Sequence, residues 1–472
     1  MAAANKPWNL VIITADDLNA DSTGWMGSKV GATPNIDAFA VTCHQFRNCH
    51  AAVPICQPSR SALMTGRVPH RNGALGFGPV RADVTTMTEV MSRHGFLTAA
   101  INKTGHMIPR QKFDWDVILE GSGKNPKALR DHFEQCMKTA AEKRKPFFIN
   151  ANSTDPHGPF PSKDPPPQSE AAAAPVKIFT ESEIVVPSFL ENLPAVRQEI
   201  AQYFSGVCRL DQTFGELIAA LKAASHLDDT VIVFVSDHGM SMPYSKATLY
   251  RNATWAPVLL RWPGMDRPIV NTDMVTNIDI MPTVLDLLGL KKPDGLDGKS
   301  WLPILQGEKQ PDRDHVFTQV DTVSSGKKFP SRCVRAKTRT YIWNSWPDGK
   351  TQFRIGAMNT RLSWKAMVEA AEHDPKLKSR VNNFIYRCAE EFYDEEKDPD
   401  ERDNLIDNPN YQTEITQMKA LLLAHMEKTD DPMVRQFRRA LKDPRKSFFS
   451  RWRRRSAEAP NSQAPTSKEI PN

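Results

Sequence analysis

Ten side chains in this 472-residue sequence combine a reactive type with suggestive neighbours. Asp16-Asp17 and Asp237-His238-Gly239 each end a short apolar run. Cys56 opens Cys56-Gln57-Pro58-Ser59-Arg60, which continues through Leu63 to Thr65-Gly66-Arg67. Lys103 and His106 stand in Asn102-Lys103-Thr104-Gly105-His106, and His157 in Asp155-Pro156-His157-Gly158-Pro159-Phe160. Lys246 begins Lys246-Ala247-Thr248-Leu249-Tyr250. Asp16, Asp17 and Asp237 offer carboxylate oxygens, which suit a hard divalent cation such as calcium or magnesium and not a structural zinc. An Asp pair alone is commonly a turn or helix cap; joined to Asp237 and Cys56 it reads as a metal site. His238 adds a softer donor. His106 and His157 have the side chain best suited to moving protons near neutral pH. His94, His132, His226 and His373 lack such neighbours and read as surface or capping residues.

These residues need elements to bring them together. Asn9 to Ala15 is an apolar run of the kind that forms a buried strand. Similar runs follow at Leu97 to Ile101, Pro146 to Ala151, Val231 to Ser236 and Pro257 to Leu260. Helical patterns lie between them at Thr86 to His94, Ala195 to Ala224 (one or two helices) and Asp279 to Leu288. Strands alternating with helices argue for an α/β fold with a central, mostly parallel sheet flanked by helices. Ligands of such sheets gather at the carboxyl ends of the strands. Four of these strand ends, or the loops just after them, carry acids, histidines or a lysine.

Pro161 to Pro175 reads as an irregular excursion, and Lys291 to Asp314 as a connector. Arg332 to Ala336 and Thr340 to Trp343 read as strands of a smaller sheet, followed by Glu391 to Asp394 and an amphipathic helix at Tyr411 to Lys428. The expected organisation is a large domain over 1–315, a small α+β domain over 316–434, and a tail over 435–472 that is basic and then disordered. The net charge of +6 belongs to that tail: ten Lys or Arg residues fall between Arg435 and Arg455 against one acid, Asp443. The tail reads either as a grip on an anionic polymer or membrane surface or as a helix packed by its aromatics. The charge carries no expectation of a nucleic-acid partner.

Seven scattered cysteines form neither a disulfide framework nor a metal motif. All but Cys56 read as buried thiols packed as small hydrophobes. No run is long and apolar enough to span a membrane. No apolar segment precedes the first strand, so the sequence as given reads as cytoplasmic, or as periplasmic, secreted or lysosomal if a longer precursor is trimmed. Oligomeric state is not legible.

Cys56-x-Pro58-Ser59-Arg60 with Leu63 and Thr65-Gly66-Arg67 resembles the signature of the type I sulfatases. The resemblance runs from about Asn9 to Leu405 and includes Ala32 to Asp37 and Val235 to Gly239. It implies the alkaline-phosphatase-like fold, with an antiparallel sheet in the small C-terminal domain. It also implies that Cys56 is oxidised to Cα-formylglycine by a formylglycine-generating or sulfatase-maturating enzyme. A plain thiolate attacking sulfur would leave an adduct with no easy exit. A formylglycine hydrate carries two hydroxyls: one attacks sulfur, and the other, once deprotonated, collapses to the aldehyde and expels sulfate.

By the same resemblance, Asp16, Asp17, residue 56, Asp237 and His238 hold one divalent cation, calcium in the first instance and magnesium or manganese otherwise. Arg60, Lys103 and Lys246 face the growing negative charge. His106 deprotonates the hydrate, and His157 or Lys246 protonates the leaving group. Many family members have Asn where this chain has His238. Relative to the family's common Gly-Lys-x-His, this chain has Asn102 for Gly and one extra residue before His106.

His70 to Gly73, Val186 to Leu190 with Pro194 to Arg197, and Lys246 to Tyr250 are most similar to the N-sulfoglucosamine sulfohydrolases (heparan N-sulfatases) and their bacterial relatives. The expected substrate is a sulfated sugar, including N-sulfoglucosamine of heparan-sulfate type. An O-sulfated glycan, an aryl sulfate, or a phosphate or phosphonate monoester stands as the alternative. A catalytically silent glycan-binding protein would not need every one of these residue types.

Overall fold

A computed structural model describes residues 7–162, 173–265 and 267–442. Most of the Pro161 to Pro175 excursion, and the basic and polar tail beyond Lys442, lie outside the described residues.

Eight strands form the larger sheet. They are β1 (Asn9–Asp16), β2 (His44–His50), β3 (Leu97–Ile101), β4 (Val117–Leu119), β5 (Phe147–Pro156), β6 (Thr230–Ser236), β7 (Val258–Arg261) and β8 (Val270–Thr276), in the order β4-β3-β5-β1-β6-β7-β2-β8. All neighbours are parallel except β7, which runs against both β6 and β2. The hydrophobic run at Val258 looks like those of its neighbours, because burial on both faces selects apolar residues whatever the strand's direction.

The sheet is covered on both faces, so β1, β3 and β6 are buried along their whole length. Alternation along a strand sends successive side chains to opposite faces. Val11, Ile13 and Ala15 join one core with Leu97, Ile232 and Phe234, packed under the helices Pro126–Glu142 and Pro194–Ala223. Leu10 and Ile12 join the other with Val231 and Val233, under the helices Met87–Arg93 and Ile280–Leu287. The helix at Met87 starts with a capping box, in which Thr86 accepts from the Glu89 amide while the Glu89 carboxylate accepts from the Thr86 amide. The pattern from Ala195 to Ala224 is one continuous 30-residue helix.

A second, antiparallel sheet of four strands has the order β12-β11-β10-β9, with β9 (His315–Thr322), β10 (Lys328–Ala336), β11 (Arg339–Asn344) and β12 (Glu390–Asp394). Its core, with Tyr341, Trp343 and Phe392, is closed by the helices Gln412–Lys428 and Val434–Lys442 through Met418, Leu422 and a fully buried Phe437. The second sheet meets loops of the large domain through the β9 amide of Gln319, which donates to the Ala52 carbonyl just after β2, and that of Thr322, which donates to the Leu75 carbonyl. Six of the seven cysteines are buried and Cys388 is half-buried; all are free thiols. Among the described residues no helix is long and apolar enough to cross a membrane.

Candidate active site

Strand register decides which residues meet. Asp16 at the end of β1 pairs across to Pro156 of β5, so His157 emerges beside Asp17. On the other side Ala15 pairs with Ser236 of β6, which brings Asp237 and His238 alongside. Ile101 of β3 pairs with Ala151 of β5, so Asn102 lies beside Asn152 and Lys103 emerges just after it. The apolar strands are buried for packing, and their carboxyl ends deliver the polar residues to one edge.

The turn after β1 is sharp. Asp17 has φ 71°, a left-handed conformation that Asp tolerates better than most residues. Its amide donates to Asp237 Oδ1 at 3.2 Å. The turn after β6 is held by Ser236, whose hydroxyl accepts from the Leu18 amide and donates to the His238 carbonyl. At Gly239 a Cβ would lie 1.9 Å from the Asn252 carbonyl oxygen, so only glycine fits.

Cys56 is the first residue of the helix Cys56–Thr65. One turn in, the Ser59 hydroxyl donates to the Asp237 carbonyl at 2.6 Å and accepts from Asn277 at 2.9 Å, which latches the helix to the end of β6. Cys56 Sγ lies 3.6 Å from Asp16 Oδ1 and 3.4 Å from His238 Nε2. Burial and the neighbouring carboxylates, Asp16 foremost, push its thiol well above the ordinary range.

Arg60 is 4% exposed and spans the cluster. It reaches Asp237 Oδ2 at 2.9 Å, Asp16 Oδ2 at 3.4 Å and the Asn152 side-chain oxygen at 2.6 Å. Burial opposes its charge, but Asp237 and Asp16 overcome that and raise the guanidinium above its usual value. Lys103 pairs with Asp16, and Lys246 Nζ donates to Asp17 Oδ1 at 2.6 Å. Burial works against ionising both carboxylates. Lys103, His157 and Arg60 outweigh it at Asp16, and Lys246 with His157 does so at Asp17; both are held below the usual range.

Asn102 and Lys103 are both left-handed, and a 3₁₀ turn, Thr104–His106, follows. Asn102 in place of the family's Gly bonds Ser122 and the Asn152 carbonyl, so its side chain braces the turn. His106 packs edge-on to Phe77 with ring centroids 5.6 Å apart, and its Nδ1 is buried without a partner. Burial, then Arg60 and Lys103, lower His106 to about 3. His157 stands on the cluster's other side, with Nε2 3.9 Å from Asp17 Oδ2 and Nδ1 2.7 Å from the Gly158 carbonyl oxygen. Its turn is anchored by Asp155, which takes two bonds from Arg209 of the long helix at 2.7 and 2.8 Å. Lys124 adds bonds to the His157 and Pro159 carbonyls.

Two overlapping sets have donor atoms within 4.8 Å of one another: Asp16, Cys56, Asp237 and His238, and Asp16, Asp17 and His157. Asp17 Oδ2 is buried with no hydrogen-bond partner. An orphaned carboxylate oxygen in a mainly oxygen donor set fits a hard cation. Nine of the ten expected residues interlock directly, and His106 stands at the edge, within electrostatic range of Arg60, Lys103 and Asp16. Asn152 and Lys124 belong to the same assembly and were not expected, and Ser59, expected only as part of the cysteine motif, serves as a latch. Asn152 had a signal: a polar residue inside an apolar strand.

A family model described as Sulfatase matches residues 8–290. The chain is 27% identical to N-sulphoglucosamine sulphohydrolase of Homo sapiens over 91% of this chain and 92% of that one. It is 28% identical to an ulvan-active sulfatase of Formosa agariphila over 87% of this chain and 78% of that one. Among solved structures, one determined in complex with its substrate D-glucosamine-2-N,6-O-disulfate superposes with a TM-score of 0.68 at 18% identity, covering 90% and 99% of the two chains. A model match over more than half of the chain, on a fold with the two sheets of the alkaline-phosphatase-like sulfatases, establishes that this protein belongs to the Sulfatase family and is a sulfatase-type hydrolase.

Proposed function

We propose that this enzyme releases sulfate from a sulfated sugar, with N-sulfoglucosamine as the leading substrate and residue 56 acting as formylglycine. The observation that carries the reading is the convergence on Cys56 of three aspartates, three fixed cations and two histidines from four strand ends, one helix and the loop that bears Lys246. The similarity to the human N-sulphoglucosamine sulphohydrolase, which spans nearly the whole of both chains, favours the N-sulfate. The ulvan-active relative favours an O-sulfate on another glycan as the second reading.

Asp16, Asp17, Asp237, His238 and residue 56 would hold one divalent cation, calcium first and magnesium or manganese next. Such a cation supplies positive charge against the sulfate oxygens and favours an ionised oxygen nucleophile. Formylglycine supplies a hydroxyl nucleophile where the thiol stands, and requires a maturating enzyme as partner. Arg60 holds Asp16 and Asp237 in place, and with Lys103 and Lys246 sets positive charge where sulfate charge develops. His106 is held neutral by burial and by Arg60 and Lys103, and its unpartnered Nδ1 is the atom at which it would take up the proton, its weak basicity raised by the negative charge of a bound substrate. His157, on the Asp17 side, donates a proton to the departing alcohol or amine, with Lys246 as the alternative donor.

The test uses protein co-produced with a formylglycine-generating enzyme. Peptide mass spectrometry should find the modified residue at 56. N-sulfated glucosamine should be desulfated faster than O-sulfated sugars, aryl sulfate or aryl phosphate, and Cys56→Ala should abolish all turnover. Turnover by protein bearing only unmodified Cys56 would refute the nucleophile, and a preference for phosphate esters would refute the substrate class.

A further inference from the structure

Arg361 is a buried cation with no ion-pair partner among the described residues. It stands between the short helix Gly356–Thr360 and the helix Leu362–Ala370, far along the chain from the strand ends that build the site. Glu199 of the long helix accepts from the Leu362 amide at 3.1 Å and the Ser363 amide at 2.9 Å, fixing the start of the second helix and with it Arg361. The side chain is 8% exposed. Its Nε donates to the Ser241 carbonyl at 2.8 Å, and its guanidinium carbon lies 4.2 Å from the centre of the Phe160 ring.

The terminal nitrogens lie against Gly158, where a Cβ would meet them at 2.7 and 2.8 Å. Gly158 follows His157 directly. Among the described residues neither terminal nitrogen has a hydrogen-bond acceptor, and no carboxylate forms an ion pair with the group. Burial lowers the guanidinium from its usual value, and Glu199 and Asp17 act on it only at range.

An unpaired buried charge is costly to the fold. A guanidinium stacked on an aromatic ring with both terminal nitrogens free is a fork for a planar or tetrahedral anion. The scissile sulfate is already matched by Arg60, Lys103 and Lys246. Arg361 lies instead beside His157, on the side where the sugar would depart. The geometry points to Arg361 as a specificity residue that takes a second anionic substituent of the substrate sugar, a carboxylate or a further sulfate. The inference rests on the reading of the enzyme as a glycan sulfatase and names what that substrate must carry.

The experiment compares wild type, Arg361→Gln and Arg361→Lys in formylglycine-bearing protein. The substrates are a singly sulfated glucosamine, glucosamine carrying N- and 6-O-sulfates, and a sulfated disaccharide containing a uronate. Arg361→Gln should lower the preference for a doubly anionic over the singly anionic substrate by about 10- to 100-fold, the scale of a lost charge-assisted hydrogen bond. The change should appear in KM and not kcat, and Arg361→Lys should recover part of it. The arm that responds identifies the anion. An unchanged preference in both arms overturns the inference, as does an equal loss on all substrates.

Melting curves accompany each variant; should Arg361→Gln fail to fold, Arg361→Lys must show the smaller drop in preference. Calorimetry on Cys56→Ala protein, with and without Arg361→Gln, reads binding of the same sugars without turnover. Absence of sulfatase turnover in wild type with Arg361-dependent binding intact would fail the proposed reaction and leave the anion site standing. Binding independent of Arg361 would fail the site.

Discussion

Asp237→Asn is the sharpest test of the proposed metal centre. Asn keeps the size of Asp and one side-chain oxygen and removes one charge. In the intact cluster Asp16, Asp17 and Asp237 face Arg60, Lys103 and Lys246, charge for charge. Asp237 is the strongest partner of Arg60, which contacts it at 2.9 and 3.1 Å while 4% exposed. Removing one member of a buried pair costs about 3–5 kcal/mol.

A ligand that binds only the folded state at a hundredfold excess over its Kd adds about 2.7 kcal/mol. Unfolding entropy of about 2.1 cal/mol/K per residue, taken over the whole chain, is on the order of 1 kcal/mol/K. Calcium should therefore raise the melting temperature of chelator-treated wild type by about 3 °C. Asp237→Asn without metal should melt about 3–5 °C below wild type, with no calcium response. The assay is differential scanning calorimetry of unmodified protein, which needs no turnover. An equal calcium shift in both proteins places the ion elsewhere. No shift in wild type with calcium, magnesium or manganese refutes the cation.

Three further outcomes are expected. His106→Gln should lower kcat/KM for sulfate release by about 10²- to 10⁴-fold, the usual worth of a positioned proton acceptor, with folding unchanged by circular dichroism. Glu401, buried beside Arg335 and Glu395, is raised by burial to about 7 against an ordinary value near 4.5. The folded protein thus retains a proton between those values that the unfolded chain has lost, and stability falls as pH rises through that window. Glu401→Gln should remove this dependence, on the order of 3 kcal/mol between pH 4.5 and 7 in denaturant titrations. Phe437 is fully buried against Trp343 and Tyr341, so Phe437→Ala should cost about 3–5 kcal/mol. A loss under 1 kcal/mol would mean that the basic helix is not held by its aromatic anchor.

Much of the central sheet was legible because β1, β3, β5 and β6 are runs whose burial on both faces leaves a strong apolar signal. β2, β4 and β8 were not, nor was β9 of the second sheet. His44–His50 mixes polar and apolar residues, Val117–Leu119 is three residues long, and Val270–Thr276 is an edge strand with exposed positions. Pattern carries little where one face is wet or the run is short. Strand direction at β7 was equally silent, since an apolar run packs alike in either sense.

The residue types of the candidate site are local information. Cys56 with Pro58, Ser59 and Arg60, the acids after apolar runs and the histidines in Gly- and Pro-containing turns were readable one stretch at a time. By itself the sequence determined which chemistry was available: carboxylates for a hard cation, cations for an oxyanion, imidazoles for protons. What the tertiary structure alone decided was who meets whom. Register across β1, β5 and β6 sets His157 and Asp237 against Asp17, the Ser59 latch brings Arg60 onto Asp237, and Asn152 meets Arg60 from β5. Arg361 arrives from a segment some two hundred residues beyond His157 and carries no local mark of its place. The physical reason is that side-chain chemistry resides in single residues, whereas pairing, burial and charge neutralisation are properties of distances that only packing creates.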